Sequence, residues 1–131
     1  DAPVDVRVLQ ELIGSDPAVN RELQKHFLAS AAEIAGKLGQ YCKQRQSLLA
    51  SEQAHKLGSA ARAVGALGLG MRCAEMEIAG KNSDNEALSE LWILFERELK
   101  AVNDFLDALQ RPPDPEGRDG EQTADNTGAY P

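Results

Sequence analysis

The sequence predicts an all-α protein. Apolar residues recur every three or four positions along four long segments, and no segment alternates apolar and polar residues with period two. Helix start and stop signals fall between the segments and leave only short joints. Long amphipathic helices with short joints predict an antiparallel four-helix bundle over residues 1–110, with a short extra N-terminal helix that caps or flanks it.

Each element follows from local chemistry. Val4 to Ile13 forms the short helix, with Leu9, Leu12 and Ile13 on one side and Gly14 as its stop. In the next stretch Asp16 can accept a backbone N–H as N-cap, and Pro17 suits the first helical position because its missing N–H is not needed there. Leu23, Phe27, Ala31, Ile34, Leu38 and Tyr41 then carry the long second helix to about Gln44, weakened but not broken by Gly36 and Gly39. Ser47 is the expected N-cap of the third helix, and Gly65 ends it, since glycine adopts a left-handed turn at little cost. Leu69, Cys73, Met76 and Gly80 repeat along the fourth helix. Ser83 and Glu86 form an S-x-x-E capping-box pattern before the fifth. There Leu88, Leu91, Phe95, Leu99, Val102, Phe105 and Leu109 are expected to face inward.

Beyond Gln110 the composition changes. Residues 111–131 are rich in proline, glycine and acids but nearly free of apolar side chains, so they cannot offset their ordering entropy. They read as a disordered acidic tail. The whole chain has net charge −7, and its bundle portion mixes both signs, which argues against a nucleic-acid binder. No run of about 18 apolar residues is present, and the start lacks the basic-then-apolar pattern of a signal peptide. Two distant cysteines, Cys42 and Cys73, make no disulfide framework. The expectation is a soluble domain in a reducing, cytoplasmic setting. The start at Asp1 suggests a segment of something longer.

Most catalytic constellations are missing. There is no glycine-rich phosphate loop after a strand, and neither histidine, His26 or His55, has a partner at zinc-ligand spacing. Glu75, Glu77, Glu86 and Glu90 lack the Glu-x-x-His pairs of a di-iron bundle and read as solvated faces, so no metal site is expected. His26, beside core Phe27, reads as a boundary residue, and Trp92 reads as an edge-of-core residue whose N–H stays wet.

His55 stands apart. At about 100° per residue, Ala50, Ala54, Leu57, Ala61 and Val64 form one apolar stripe, and His55 lies roughly 140° from its centre, facing solvent. Ser51, Glu52, Gly58, Ser59 and Arg62 share its side of the helix. Glycine inside a helix costs about 1 kcal/mol relative to alanine, which makes sense at Gly58 if a partner must approach the backbone next to the imidazole. A neutral imidazole, with a reference pKa of about 6.5, is a competent nitrogen nucleophile at neutral pH. A phosphoryl group on nitrogen stays reactive enough to be passed on.

The stretch from Ala54 to Lys81, AHKLGSAARAVGALGLGMRCAEMEIAGK, resembles the signature of the histidine-containing phosphotransfer (HPt) family of two-component phosphorelays. That pattern is roughly A-H-x-L-K-G/S-S/A-A/S-x-x-V/L-G-A, followed by a Leu, a Cys and a Leu-Glu on the next helix. Ala54, His55 and Leu57 match in order, and Ser59, Ala60, Ala61, Val64, Gly65 and Ala66 continue without a gap. Leu69, Cys73, Met76 and Glu77 fall where the family's next helix has its core residues and terminal acid. One departure is plain: Gly58 stands where the family usually has a lysine that supports the phosphoryl group. Arg62, within about 20° of His55 in projection, and Lys56, about 100° away, are the candidates to replace it.

The resemblance implies a relay intermediate. An aspartyl phosphate on a receiver domain would be attacked by Nε2 of His55, and an aspartate of a second response-regulator receiver would then take the phosphoryl group. Mg²⁺ would come with the receiver, so the domain itself would need no cofactor and carry no autonomous active site. Gly58 and Ser59, with Ser51 and Glu52, would admit the receiver, and Leu48 would add an apolar docking contact. A monomer is implied, and a place at the C-terminus of a hybrid sensor histidine kinase, on the cytoplasmic side of a membrane-bound parent. The competing reading is a helical adaptor that binds receivers without carrying phosphate, for which the glycine at 58 is the main support.

Overall fold

A computed structural model describes residues 2–13 and 16–110. The expected stop at Gly14, the side chains of Leu12 and Ile13, and the tail from 111 to 131 lie outside the described residues. Among the described residues there are five helices and no strand: α1 (Val6–Ile13), α2 (Pro17–Lys43), α3 (Ser47–Ala63), α4 (Leu67–Lys81) and α5 (Asn85–Gln110). The contacts run α2 to α3, α3 to α4, α4 to α5 and α2 to α5, so the four long helices enclose one core, and α1 touches α2 and α3.

The α2 start follows the sequence reading. Asp16 Oδ1 accepts the N–H of Ala18 at 3.0 Å, and Pro17 opens the helix. The three joints between the long helices share one construction. Each helix ends in a left-handed residue, Arg45 (φ 58), Gly65 (φ 86) or Ser83 (φ 56). The following N–H reaches back across the last turn, Gln46 to Tyr41, Ala66 to Ala61 and Asp84 to Ala79, at 2.9, 2.8 and 2.9 Å. These are Schellman caps, which satisfy carbonyls the helix leaves unpaired. Only the middle one uses glycine, so only that one was legible.

Two caps differ from expectation. Ser47 is not the N-cap of α3; Gln46 holds that position without a side-chain bond, and Ser47 is the first helical residue, buried against α4. Ser83 is not the cap of α5 either. It is taken up by the left-handed turn, and Asp84 Oδ1 accepts the Ala87 N–H at 3.0 Å instead. Along α5 the last inward residue is Leu106 rather than Leu109, which is exposed.

Gly65 is required twice, by its positive φ and by space. A Cβ there would meet the Asp5 carbonyl oxygen at 2.5 Å, and the Asp5 N–H donates to the Gly65 carbonyl at 2.8 Å. The segment before α1 is thereby tied to the α3–α4 joint, with Val4 buried beneath it.

The most extensive helix contact is between α3 and α4. Small residues make it close. A Cβ at Gly80 would lie 2.6 Å from the Ser47 carbonyl oxygen and 2.8 Å from Ser51 Cβ, and one at Gly58 would lie 3.0 Å from Cys73 Cβ. Ala50, Ala54 and Ala61 are fully buried on α3. This close seam sets the geometry beside His55.

Candidate functional site

His55 sits mid-way along α3 with its side chain 63% exposed. Its Nδ1 lies 3.2 Å from Oε1 of Glu77 on α4, and the other carboxylate oxygen of Glu77 lies 3.1 Å from Lys81 Nζ, one turn further along the same helix. A carboxylate only accepts, so this contact is a hydrogen bond when Nδ1 carries the proton. In the neutral imidazole Nε2 is then the atom with the free lone pair. Glu77 is only 21% exposed. The hydrogen bond from Lys81 holds its carboxyl below the usual carboxylate range; partial burial pushes the other way, and the His55 contact adds to the lowering.

One turn before His55, the Ser51 hydroxyl donates to the Glu77 backbone carbonyl at 3.1 Å. The same residue of α4 is therefore held by its carbonyl to Ser51 and by its carboxylate to His55. Ser51, Glu52, His55, Lys56, Glu77 and Lys81 line an open cleft of about 440 Å³.

The expected neighbours of His55 divide into two groups. Glu52, Lys56 and Ser59 are exposed beside it, and Leu48 presents an apolar side chain that is 62% exposed. Ser51 and Gly58, expected to face solvent, are buried. The buried arc of α3 is wider than its apolar stripe, because α4 packs over the edge where these two small residues lie. Gly58 lies against α4, with Cys73 Cβ 3.0 Å from where its own Cβ would stand, and the expected solvent exposure of Ser51 and Gly58 is corrected.

Arg62 follows a different course from a free surface cation. Its Nη1 donates to the Gly70 carbonyl of α4 at 3.4 Å, and its guanidinium passes over Gly58, where a Cβ would stand 3.3 Å from Nη1. The space left by the missing side chain at 58 is thus partly filled by the Arg62 head group. Burial pushes the Cys73 thiol up to about 12, and among the described residues no His, Cys, Asp and Glu cluster could hold a metal ion.

Two site residues were missed in the sequence. Glu77 was placed as a family-like acid at the end of α4 without its contact to His55, and Lys81 was not singled out. The Glu77–Lys81 spacing of four is a recognisable helix pair, but which helix edge it faces is not a local property.

The model of the Hpt domain matches residues 22–111. The chain belongs to the Hpt domain family. Among solved structures, this Hpt domain is similar to histidine-containing phosphotransfer protein B (HptB) from Pseudomonas aeruginosa PAO1, with a TM-score of 0.78 over 82% of this chain and 94% of that one. Sequence identity is 20%, so that likeness concerns the fold. No curated protein matches the chain in sequence. Family and fold together support a histidine phosphotransfer role.

Proposed function

We propose that this Hpt domain is a phosphorelay intermediate whose phosphoacceptor is Nε2 of His55. The observation that carries the reading is the Glu77 contact, which occupies Nδ1 of a side chain that is 63% exposed and leaves Nε2 as the ring nitrogen for the phosphoryl group. In the forward step the Nε2 lone pair attacks the phosphorus of a receiver's aspartyl phosphate, and the P–O bond to the aspartate breaks. The ring, keeping its Nδ1 proton, then carries positive charge, which the Glu77 carboxylate stabilises at 3.2 Å. In the return step a second receiver's aspartate attacks, the P–N bond breaks, and the electron pair returns to Nε2. Transfer of this kind depends on positioning and charge neutralisation more than on covalent help.

Arg62, assisted by Lys56, is the proposed cation for the phosphoryl oxygens in place of the family's lysine. The position of its guanidinium over Gly58 supports this. Leu48, Glu52 and Ser59 are the proposed receiver contacts, with Mg²⁺ held by the receiver. The wider reading is an antiparallel four-helix bundle acting as a monomer in the cytoplasm, at the C-terminal end of a hybrid sensor kinase.

The test is incubation with phosphorylated receiver domains. Acid-labile phosphate should appear on the wild type and be absent from His55→Gln. Binding without label on the wild type would favour the adaptor reading instead. Equal transfer rates in wild type, Arg62→Ala and Lys56→Ala would remove both cations from the assignment.

A further inference from the structure

The cleft beside His55 holds a charged residue with no place in the relay reading. Lys81 lines it together with Lys56, Glu52 and Glu77, yet its ammonium is directed at Glu77 and not at solvent alone. The carboxylate is divided between two helices, Oε2 on Lys81 of its own helix and Oε1 on His55 of α3. A glutamate side chain has three rotatable bonds, and this one retains partial access to water. Left alone, it can swing away and release Nδ1. A lysine four residues on, at the helix C-terminal end, is the favoured order for such a pair and the favoured end for a cation.

We propose that Lys81 is a positioning residue, which acts through Glu77 to hold the His55 proton on Nδ1 and so keep Nε2 as the nucleophile. The charged groups that line the cleft with the imidazole are Glu52 and Lys56 from α3, and Glu77 and Lys81 from α4. Of these, Glu77 alone makes a hydrogen bond to the ring among the described residues. Lys81 orients that one acceptor. Because its ammonium is held on Glu77 Oε2, the role proposed for it is distinct from the supporting role assigned to Arg62 and Lys56.

The role rests on the relay reading for its effect on rate, but its structural half is testable without any phosphate. Nitrogen-15 spectra of the unphosphorylated domain, recorded on the alkaline plateau of a pH titration where the ring is neutral, report the ratio of the two tautomers of His55. Lys81→Met should shift that ratio away from Nδ1–H by roughly two- to fivefold, the effect one modest hydrogen bond carries. The rate of phosphoryl acceptance should fall by a similar factor. Lys81→Arg should restore both, and in a Glu77→Gln background Lys81→Met should add nothing, since the two residues act in series. An unchanged tautomer ratio in Lys81→Met overturns the proposal. A lost rate with an unchanged ratio also overturns it, and would place Lys81 on the phosphoryl group. If the wild type takes no label at all, the relay reading fails while the tautomer result still stands or falls by itself.

Discussion

Replacing Gly80 by alanine tests whether the close α3–α4 seam holds the site together. A Cβ at Gly80 would lie 2.6 Å from the Ser47 carbonyl oxygen, 2.8 Å from Ser51 Cβ and 3.1 Å from Ser51 Cα. None of these can be moved by a rotamer change, because each is backbone or attached directly to it. Carbon contacts are comfortable at about 3.5 Å, so the helices must part locally by roughly 0.7 Å. Overpacking costs about 1–3 kcal/mol, and a clash with backbone belongs in the upper half of that range. Removing a helical glycine returns about 1 kcal/mol. The net loss is about 1–2 kcal/mol, a fall in Tm of roughly 4–12 °C for a domain of this size. Thermal melts by circular dichroism measure it. Gly36→Ala is the control, since nothing lies within 4 Å of its Cβ position; it should gain up to about 1 kcal/mol. The Gly80 variant should also accept phosphate more slowly, because parting the helices draws Glu77 away from both Ser51 and His55. A Gly80→Ala domain that melts at or above the wild type would refute the seam argument.

Three further outcomes follow from single contacts. Glu77→Gln should slow phosphoryl acceptance by roughly tenfold, the scale of a charge-assisted hydrogen bond, with little change in receiver affinity; equal single-turnover rates would show that the contact does not matter. Asp84→Ala should lower stability by about 1 kcal/mol through loss of the α5 cap, read by urea melts, while Ser83→Ala should not reproduce that loss. The carboxyl of Glu77 is held low in the folded state, so its stabilisation is present above the ordinary carboxylate range near 4.5 and is lost as pH falls through the folded value. The stability difference between wild type and Glu77→Gln should therefore shrink as pH falls below about 4.5; a difference that stays constant as the carboxyl is protonated would contradict the assignment.

Much of the site was legible because it lies within one helix. The position of His55 opposite the apolar stripe, and the exposure of Leu48, Glu52, Lys56 and Ser59, need only the 3.6-residue repeat of α3. What misled was the reading of Ser51 and Gly58. Small residues at the edge of a stripe look the same whether they face water or a closely packed neighbour. At Gly58 the glycine admits α4.

The sequence by itself determined the helices, the Asp16 cap, the left-handed turn at Gly65 and the exposure of His55 opposite the apolar stripe of its helix. Each is governed by backbone bonding or periodicity within a few residues. Only the tertiary structure decided which edge of α3 lies under α4. That depends on small residues of two helices meeting in register, and it brings Glu77 against Nδ1 of a histidine 22 positions earlier. The same packing explains the bare helix at Gly58, lays the Arg62 guanidinium across it, and sets Lys81 behind the carboxylate that orients His55.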